Sequence, residues 1–186
     1  MKYSVIYADP PWDIKGINSK LKPGQEILDY PTMSLEEIRV LPIRDMSLDN
    51  SCCFLWTIQS YLPYSFRVLE SWGFNYQRTI TWDKCTGLCF NGFHHRTEFL
   101  LFGYKGKIEI YKSGQQFPTI IKATSKRHSE KPEIFRTLIE PFGEPRIELF
   151  ARNKYPGWDV WGNEISGITM KPNLETLFFM LDRESR

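Results

Sequence analysis

The sequence predicts a single α/β domain, though not the order or connectivity of its strands, and three observations carry that prediction. Short apolar runs alternate with amphipathic stretches along the chain. Residues 3–8 are almost continuously apolar, as a strand covered on both faces must be. Residues 132–143 show a helix start, an apolar face and a stop in one stretch. At 186 residues the chain has room for one well-buried core and not for two.

The elements run in order. After the first strand a polar, Gly- and Pro-containing loop runs over 13–32. Ser34 with Glu37 three residues later reads as a capping box opening a short helix to about Leu41. Residues 53–58 (Cys-Phe-Leu-Trp-Thr-Ile) form a second buried strand. Over 61–72, Leu62, Phe66, Leu69 and Trp72 recur at helical spacing, and Gly73 ends the helix. Between 76 and 82 the large side chains Tyr76, Arg78, Ile80 and Trp82 alternate with Gln77, Thr79 and Thr81, the period of a strand. A further strand covers 97–104. Pro132 at a first helical position, then Ile134, Phe135, Leu138, Ile139 and Phe142, then Gly143, define the clearest helix. A strand at 146–151 comes next. The tail carries an amphipathic stretch at 174–181, a candidate for docking on the core or on a second copy in a homodimer.

Composition narrows the classes. The apolar share of 41% and charged share of 25% are those of a globular domain, which excludes a disordered or fibrous chain. A net charge of +2 is too small for a protein that coats nucleic acid through bulk charge. Residues 110–129 do hold Lys112, Lys122, Lys126 and Arg127 with no acid, a stretch suited to a solvated loop or to facing phosphate. With no apolar run near 18 residues and no signal-peptide pattern, the expectation is a soluble, cytoplasmic protein. Four cysteines do not make a disulfide scaffold. Cys52 and Cys53 read as small core residues. Cys85 and Cys89 with His94 and His95 lack a second well-spaced pair, so no metal is expected.

The chemistry concentrates at Asp9-Pro10-Pro11-Trp12, which ends the first strand. Ligands of open α/β sheets bind beyond the carboxyl ends of strands. Two prolines fix successive φ angles and remove two amide donors, leaving a stiff chain with carbonyls free to accept. A carboxylate, a fixed carbonyl and an indole thus come from four adjacent residues. Two acceptors, the Asp9 carboxylate and the Pro10 carbonyl, aimed at the N–H groups of an adenine N6 amine would favour a pyramidal nitrogen whose lone pair can attack a sulfonium methyl. Trp12 would stack on the flipped base, a contact of roughly 1–3 kcal/mol. No covalent intermediate is needed; positioning and electrostatics supply the rate. The bland alternative is a strand-ending turn, but a chance match to this quartet is of the order of a few in ten thousand for such a chain.

With those residues the sequence resembles the catalytic subunit of the eukaryotic mRNA adenosine-N6 methyltransferase and its bacterial and phage relatives. The resemblance spans about 5–165. It includes Tyr-Ala-Asp-Pro-Pro-Trp-Asp-Ile at 7–14, Tyr-Pro-Thr-Met-Ser at 30–34 and Phe-Leu-Trp at 54–56. Further along are Arg-Thr-Glu-Phe-Leu-Leu-Phe-Gly-Tyr-Lys-Gly at 96–106 and His-Ser-Glu-Lys-Pro at 128–132. Arg-Ile-Glu-Leu-Phe-Ala-Arg at 146–152 and Trp-Gly-Asn-Glu at 161–164 complete the series. It implies a class I, Rossmann-like fold in permuted order, with the catalytic motif before the cofactor strand, and S-adenosyl-L-methionine as cofactor. It assigns catalysis to Asp9, Pro10, Pro11 and Trp12, and cofactor contacts to Asp9, Lys131, Arg152, Asn163 and Glu164. Lys131 would bind the methionine carboxylate, helped by the helix N-terminus just after it. Asn163 and Glu164 would hold the ribose hydroxyls, Glu164 replacing a glutamine and keeping an acceptor. Tyr30, Glu98, Lys126, Arg127 and His128, with Trp12, are the candidate substrate contacts.

Three departures from the family accompany the match. The chain starts almost at the first strand, so the adenine contact that a preceding segment makes in eukaryotic members must come from elsewhere. The Phe-x-Gly-x-Gly loop of many DNA amino-methyltransferases is absent after the strand at 146. No stretch is long enough for a separate target-recognition domain. The compact form resembles the bacterial and phage members, so DNA is the expected substrate, with the target base flipped out of the stack. Adenosine in RNA, the N4 amine of cytosine, and a non-catalytic nucleic-acid-binding partner are the alternatives.

Overall fold

In the computed structural model, which describes residues 1–13, 32–90, 92–107, 116–124 and 130–162, the first strand organises the sheet. Strand β1 (Tyr3–Ala8) lies between two later strands and is parallel to both. Val5 and Tyr7 point to one face, Ile6 and Ala8 to the other, and all four are buried. That is why the sequence here is apolar without alternation.

Helix α1 (Leu35–Arg39) opens with the expected capping box: Ser34 accepts from the Glu37 amide while Glu37 accepts from the Ser34 amide. A one-turn helix α2 (Ile43–Met46), which the sequence did not announce, leads into β2 (Ser47–Thr57). Strand β2 begins well before residue 53, because ladder pairing of Ser47 with Tyr3 and of Ser51 with Lys105 holds a polar segment extended against its weak strand propensity. Helix α3 (Leu62–Ser71) matches its periodicity and stops before Gly73. Strands β3 (Asn75–Phe90) and β4 (Phe93–Lys105) form an antiparallel hairpin longer than either predicted strand.

Strand β5 (Ile120–Lys122) runs parallel to β3, so the basic stretch at 110–129 is not simply a loop. Helix α4 (Ile134–Ile139) and a 3-10 turn (Glu140–Phe142) start two residues later than Pro132 predicts. Strands β6 (Arg146–Leu149) and β7 (Asp159–Trp161) complete the described sheet.

Across the sheet the order is β5-β3-β4-β2-β1-β6-β7, and β4 alone of these runs opposite to the rest. One core layer joins Ile38, Ile43, Met46, Val68 and Leu69 of α1 to α3 with Ile6, Leu55 and Leu149. The other joins Phe135 and Ile139 of α4 with Tyr7, Trp56, Trp82 and Leu100. Helices therefore cover both faces, the Rossmann-like sandwich in permuted order that the resemblance implies. From β1 the chain departs to β2 on one side, and β6 arrives later on the other. The carboxyl end of β1 is thus a topological switch point, where an open α/β sheet leaves a crevice.

Among the described residues no helix is long and apolar enough to cross a membrane. The amphipathic stretch at 174–181 lies outside the described residues.

Close packing of α3 on the sheet depends on Gly103. A Cβ there would lie 2.7 Å from the Leu69 side chain and 3.0 Å from the Asn75 carbonyl. Gly103→Ala is therefore expected to lower stability by about 1–3 kcal/mol through overpacking. The denaturant midpoint measures it, and an unchanged midpoint would show that α3 does not press on β4 here.

Candidate active site

Strand alternation delivers the polar residues of the site to one sheet edge. Asp9 follows Ala8 at the carboxyl end of β1, on the α4 side with Tyr7. Glu98 lies midway along β4, directly before the stretch that pairs with β2, and its neighbour Phe99 pairs with Thr57, the last residue of β2. Because β4 is reversed, the start of its β2-paired stretch meets the carboxyl end of β2. Lys131 enters from the segment just before α4.

These three groups form one ion cluster. The Lys131 ammonium lies 2.9 Å from the Asp9 carboxylate and 3.1 Å from that of Glu98. Lys84 reaches the other Glu98 oxygen at 3.2 Å. Beneath the Lys131 ammonium lies the Trp56 ring, its centroid 5.2 Å away, a cation–π contact. The Trp56 indole is fixed in turn by donating to the Tyr7 hydroxyl at 2.7 Å.

The electrostatics are asymmetric. Burial is the largest influence on Asp9 and raises its pKa above the ordinary carboxylate value, outweighing Lys131 beside it. The Asp9 side chain keeps 27% of its surface exposed, against 9% for Lys131, which moderates that rise. Burial acts to raise Glu98 as well, but the ammoniums of Lys131 and Lys84 together hold its pKa below the usual range. Burial alone would lower Lys131; the two carboxylates overcome it and keep the ammonium protonated.

Two expectations for the Pro-Pro-Trp segment need correction. Trp12 is not presented to a base: it is 5% exposed, its ring stacks on Tyr61 at 4.9 Å, and its indole N–H donates to the Trp56 carbonyl at 3.1 Å. The indole is more stable in this apolar slot, with its N–H satisfied, than facing water. Nor are both proline carbonyls free. The Pro10 carbonyl accepts from the Trp12 amide at 2.9 Å and that of Pro11 from the Met33 amide at 2.9 Å. Each carbonyl has two lone pairs, so Pro10 retains one acceptor site.

The end of β6 supplies the neighbouring wall. Phe150 turns the chain with a φ of 63°, a left-handed conformation unusual for a bulky residue, and packs on Trp161. Arg152 comes two residues later, half-buried, and its charge acts on Asp9. A Cβ at Gly162 would collide with the Ala151 carbonyl and backbone nitrogen, so only glycine lets β7 lie this close to the turn after β6. Lysine and arginine cations beside two carboxylates fit the zwitterionic end of an amino-acid-bearing cofactor such as S-adenosyl-L-methionine. The helix contribution expected for Lys131 is corrected, because α4 begins three residues further on and the cation is engaged by carboxylates. Tyr30, Lys126, Arg127, His128, Asn163 and Glu164 lie outside the described residues.

Sequence reasoning missed several supporting groups. Trp56 sits in the quoted Phe-Leu-Trp motif, yet nothing in that pattern says that it lies under a lysine. Lys84 continues the Ile80–Trp82 alternation onto the same face, a signal that was present. Arg136 and Glu148 form a buried bidentate pair at 2.6 and 2.7 Å, with the guanidinium 3.8 Å from the Tyr155 ring. Among the described residues no group of three or more His, Cys, Asp or Glu could hold a metal.

The chain matches known proteins over most of its length. The MT-A70 family pattern matches residues 3–164. The type II methyltransferase M.MunI of a Mycoplasma species is 35% identical over 182 residues, covering 88% of this chain and 78% of that protein. The human N(6)-adenosine-methyltransferase catalytic subunit METTL3 is 31% identical over 179 residues, which cover 90% of this chain but 29% of METTL3. The Drosophila melanogaster N(6)-adenosine-methyltransferase MT-A70-like protein is 31% identical over 95% of this chain and 29% of its own length. The chain thus spans most of the Mycoplasma relative and less than a third of these two eukaryotic ones. It belongs to the MT-A70 family, the adenine-N6 methyltransferases whose methyl donor is S-adenosyl-L-methionine.

Proposed function

We propose that this chain methylates the N6 amine of adenine in DNA, taking the base out of the duplex into the crevice at the end of β1. The observation that carries the reading is the partly open Asp9 carboxylate held by Lys131 at the topological switch point. DNA is favoured over RNA by similarity: the chain is 35% identical to the type II methyltransferase M.MunI and 31% identical to the human N(6)-adenosine enzyme.

S-adenosyl-L-methionine supplies the methyl group on a sulfonium. The chain's residues do the rest. Asp9 accepts one N–H of the amine, and the remaining lone pair of the Pro10 carbonyl accepts the other, which turns the nitrogen lone pair outward. Asp9, with its raised pKa, is a better proton acceptor than an ordinary carboxylate, and it or water takes the proton that leaves after transfer. Trp12 acts by anchoring the Pro-Pro segment to Trp56 rather than by touching the base. Lys131 and Arg152 hold the carboxylate of the methionine moiety, and Asn163 and Glu164 the ribose. Tyr30, Glu98, Lys126, Arg127 and His128 remain the proposed substrate contacts. The N4 amine of cytosine presents similar geometry, and a non-catalytic partner would bind without transfer.

These roles have measurable consequences. Asp9→Ala should reduce transfer of tritiated methyl to DNA by about 10²–10³-fold, the usual loss on removing an electrostatic contact made in the transition state. DNA and RNA assayed side by side test the substrate, and transfer to RNA alone would replace DNA in this reading.

Lys131→Met should raise the KM for the cofactor. It should also move the acid limb of the kcat profile to higher pH, because the ammonium opposes the burial-driven rise at Asp9 and its loss lets that pKa climb further. An acid limb that stays in place would separate Lys131 from Asp9.

Gly162→Ala should weaken cofactor binding about tenfold or more, since the added Cβ displaces the segment leading to Asn163 and Glu164. Calorimetric titration with S-adenosyl-L-methionine measures this, and an unchanged Kd would remove that segment from the cofactor site.

A further inference from the structure

The β3–β4 hairpin continues past the ion cluster as a two-stranded ribbon. Its two ladders part between Asp83 and Leu88, where β3 carries extra residues. Cys85 takes a φ of 64° in this bulge. Asp83 holds the bulge in place: it accepts from the Cys85 amide at 2.9 Å and receives a bidentate pair from Arg96 at 2.7 and 2.6 Å. The His94 ring and the Gly87 carbonyl, 2.7 Å apart, tie the strands together beyond it. Bulges of this kind bend a strand and re-aim the residues beyond the bend, often beside active sites. At the far end Phe93 is 75% exposed, the most exposed of the large apolar side chains described.

The base of this ribbon belongs to the site itself. Lys84 and Glu98, one from each strand, form the ion pair that continues to Lys131 and Asp9. Phe93 stands five residues before Glu98, hence about 16 Å away along the strand. A DNA major groove is about 12 Å wide and about 8.5 Å deep, and it admits a two-stranded β-ribbon. With an adenine drawn to Asp9, a projection of this length from the mouth of the crevice reaches the duplex that the base has left. Flipping leaves a gap in the stack and an unpaired partner base, both of which an aromatic side chain can cover.

We infer that the β3–β4 ribbon is the arm that engages duplex DNA beside the target adenine, with Phe93 stacking in or against the gap left by the flipped base. This rests on the proposal of DNA as substrate. Phe93 is here a positioning residue, since it acts on the duplex and not on the reacting atoms.

The test uses adenine-unmethylated plasmid DNA and the full chain as wild type, Phe93→Ala, Phe93→Leu and Phe93→Trp. Exposure of Phe93 makes the substitutions harmless to the core. Methyl transfer to the native plasmid should fall by about 10–100-fold in kcat/KM for the Ala and Leu variants, the scale of one lost aromatic–base stack. The Trp variant should stay within about threefold of wild type, as a second aromatic can stack. The Kd for S-adenosyl-L-methionine and the sedimentation coefficient should not change. Ala and Leu variants within twofold of wild type would overturn the arm and leave DNA methylation standing. A loss accompanied by altered cofactor binding or self-association would assign Phe93 to folding or to a subunit contact, and also overturn it. A wild-type protein that transfers no methyl to duplex DNA would overturn both the arm and the DNA reading.

Discussion

One ammonium, that of Lys131, ties together the parts of the site. It sits almost buried between the carboxylates of Asp9 and Glu98 and above the Trp56 ring, so three strands and the segment before α4 meet at a single charge. Without it the two carboxylates would repel each other in a low-dielectric setting, with Lys84 and Arg152 left to oppose the effect of burial. With it, Asp9 can remain ionised where an amine must be oriented, although burial still lifts its pKa. Charge compensation and the position of the acceptor are the same structural fact.

The sheet explains why that meeting occurs where it does. Strand β1 has parallel neighbours on both sides, and the chain leaves it in one direction and returns from the other. The reversed strand β4 then brings Glu98, just before the stretch that pairs with β2, to an edge otherwise made of strand ends. The Asp-Pro-Pro-Trp segment is held to this edge by its Trp12 indole, which is buried between Tyr61 and the Trp56 carbonyl. Stiffness in the motif comes from that anchor as much as from the prolines.

Much of this was legible from residues alone. The doubly buried β1, the Ser34 capping box and the α3 periodicity depend on local patterns, and each is found where the pattern puts it. Long-range pairing was not legible. The polar start of β2 is extended because β1 and β4 pair with it, and three-residue strands such as β5 and β7 carry too little periodicity to register. The end of the β3–β4 hairpin did have a signal, Gly92 directly before an apolar-rich segment. At the site, the sequence located Asp9, Lys131 and Glu98 through resemblance, and the structure brings them together. Trp12 was misjudged because an aromatic in a motif looks the same whether it faces a ligand or a core. Only the Tyr61 stack and the Trp56 carbonyl tell them apart.

The most direct measurement is mass spectrometry of nucleosides from adenine-unmethylated DNA treated with the purified protein and S-adenosyl-L-methionine. It reports base, ring position and sugar together. The account predicts N6-methyl-2′-deoxyadenosine as the product. Methylation confined to the N4 amine of cytosine, or none in DNA, would contradict it.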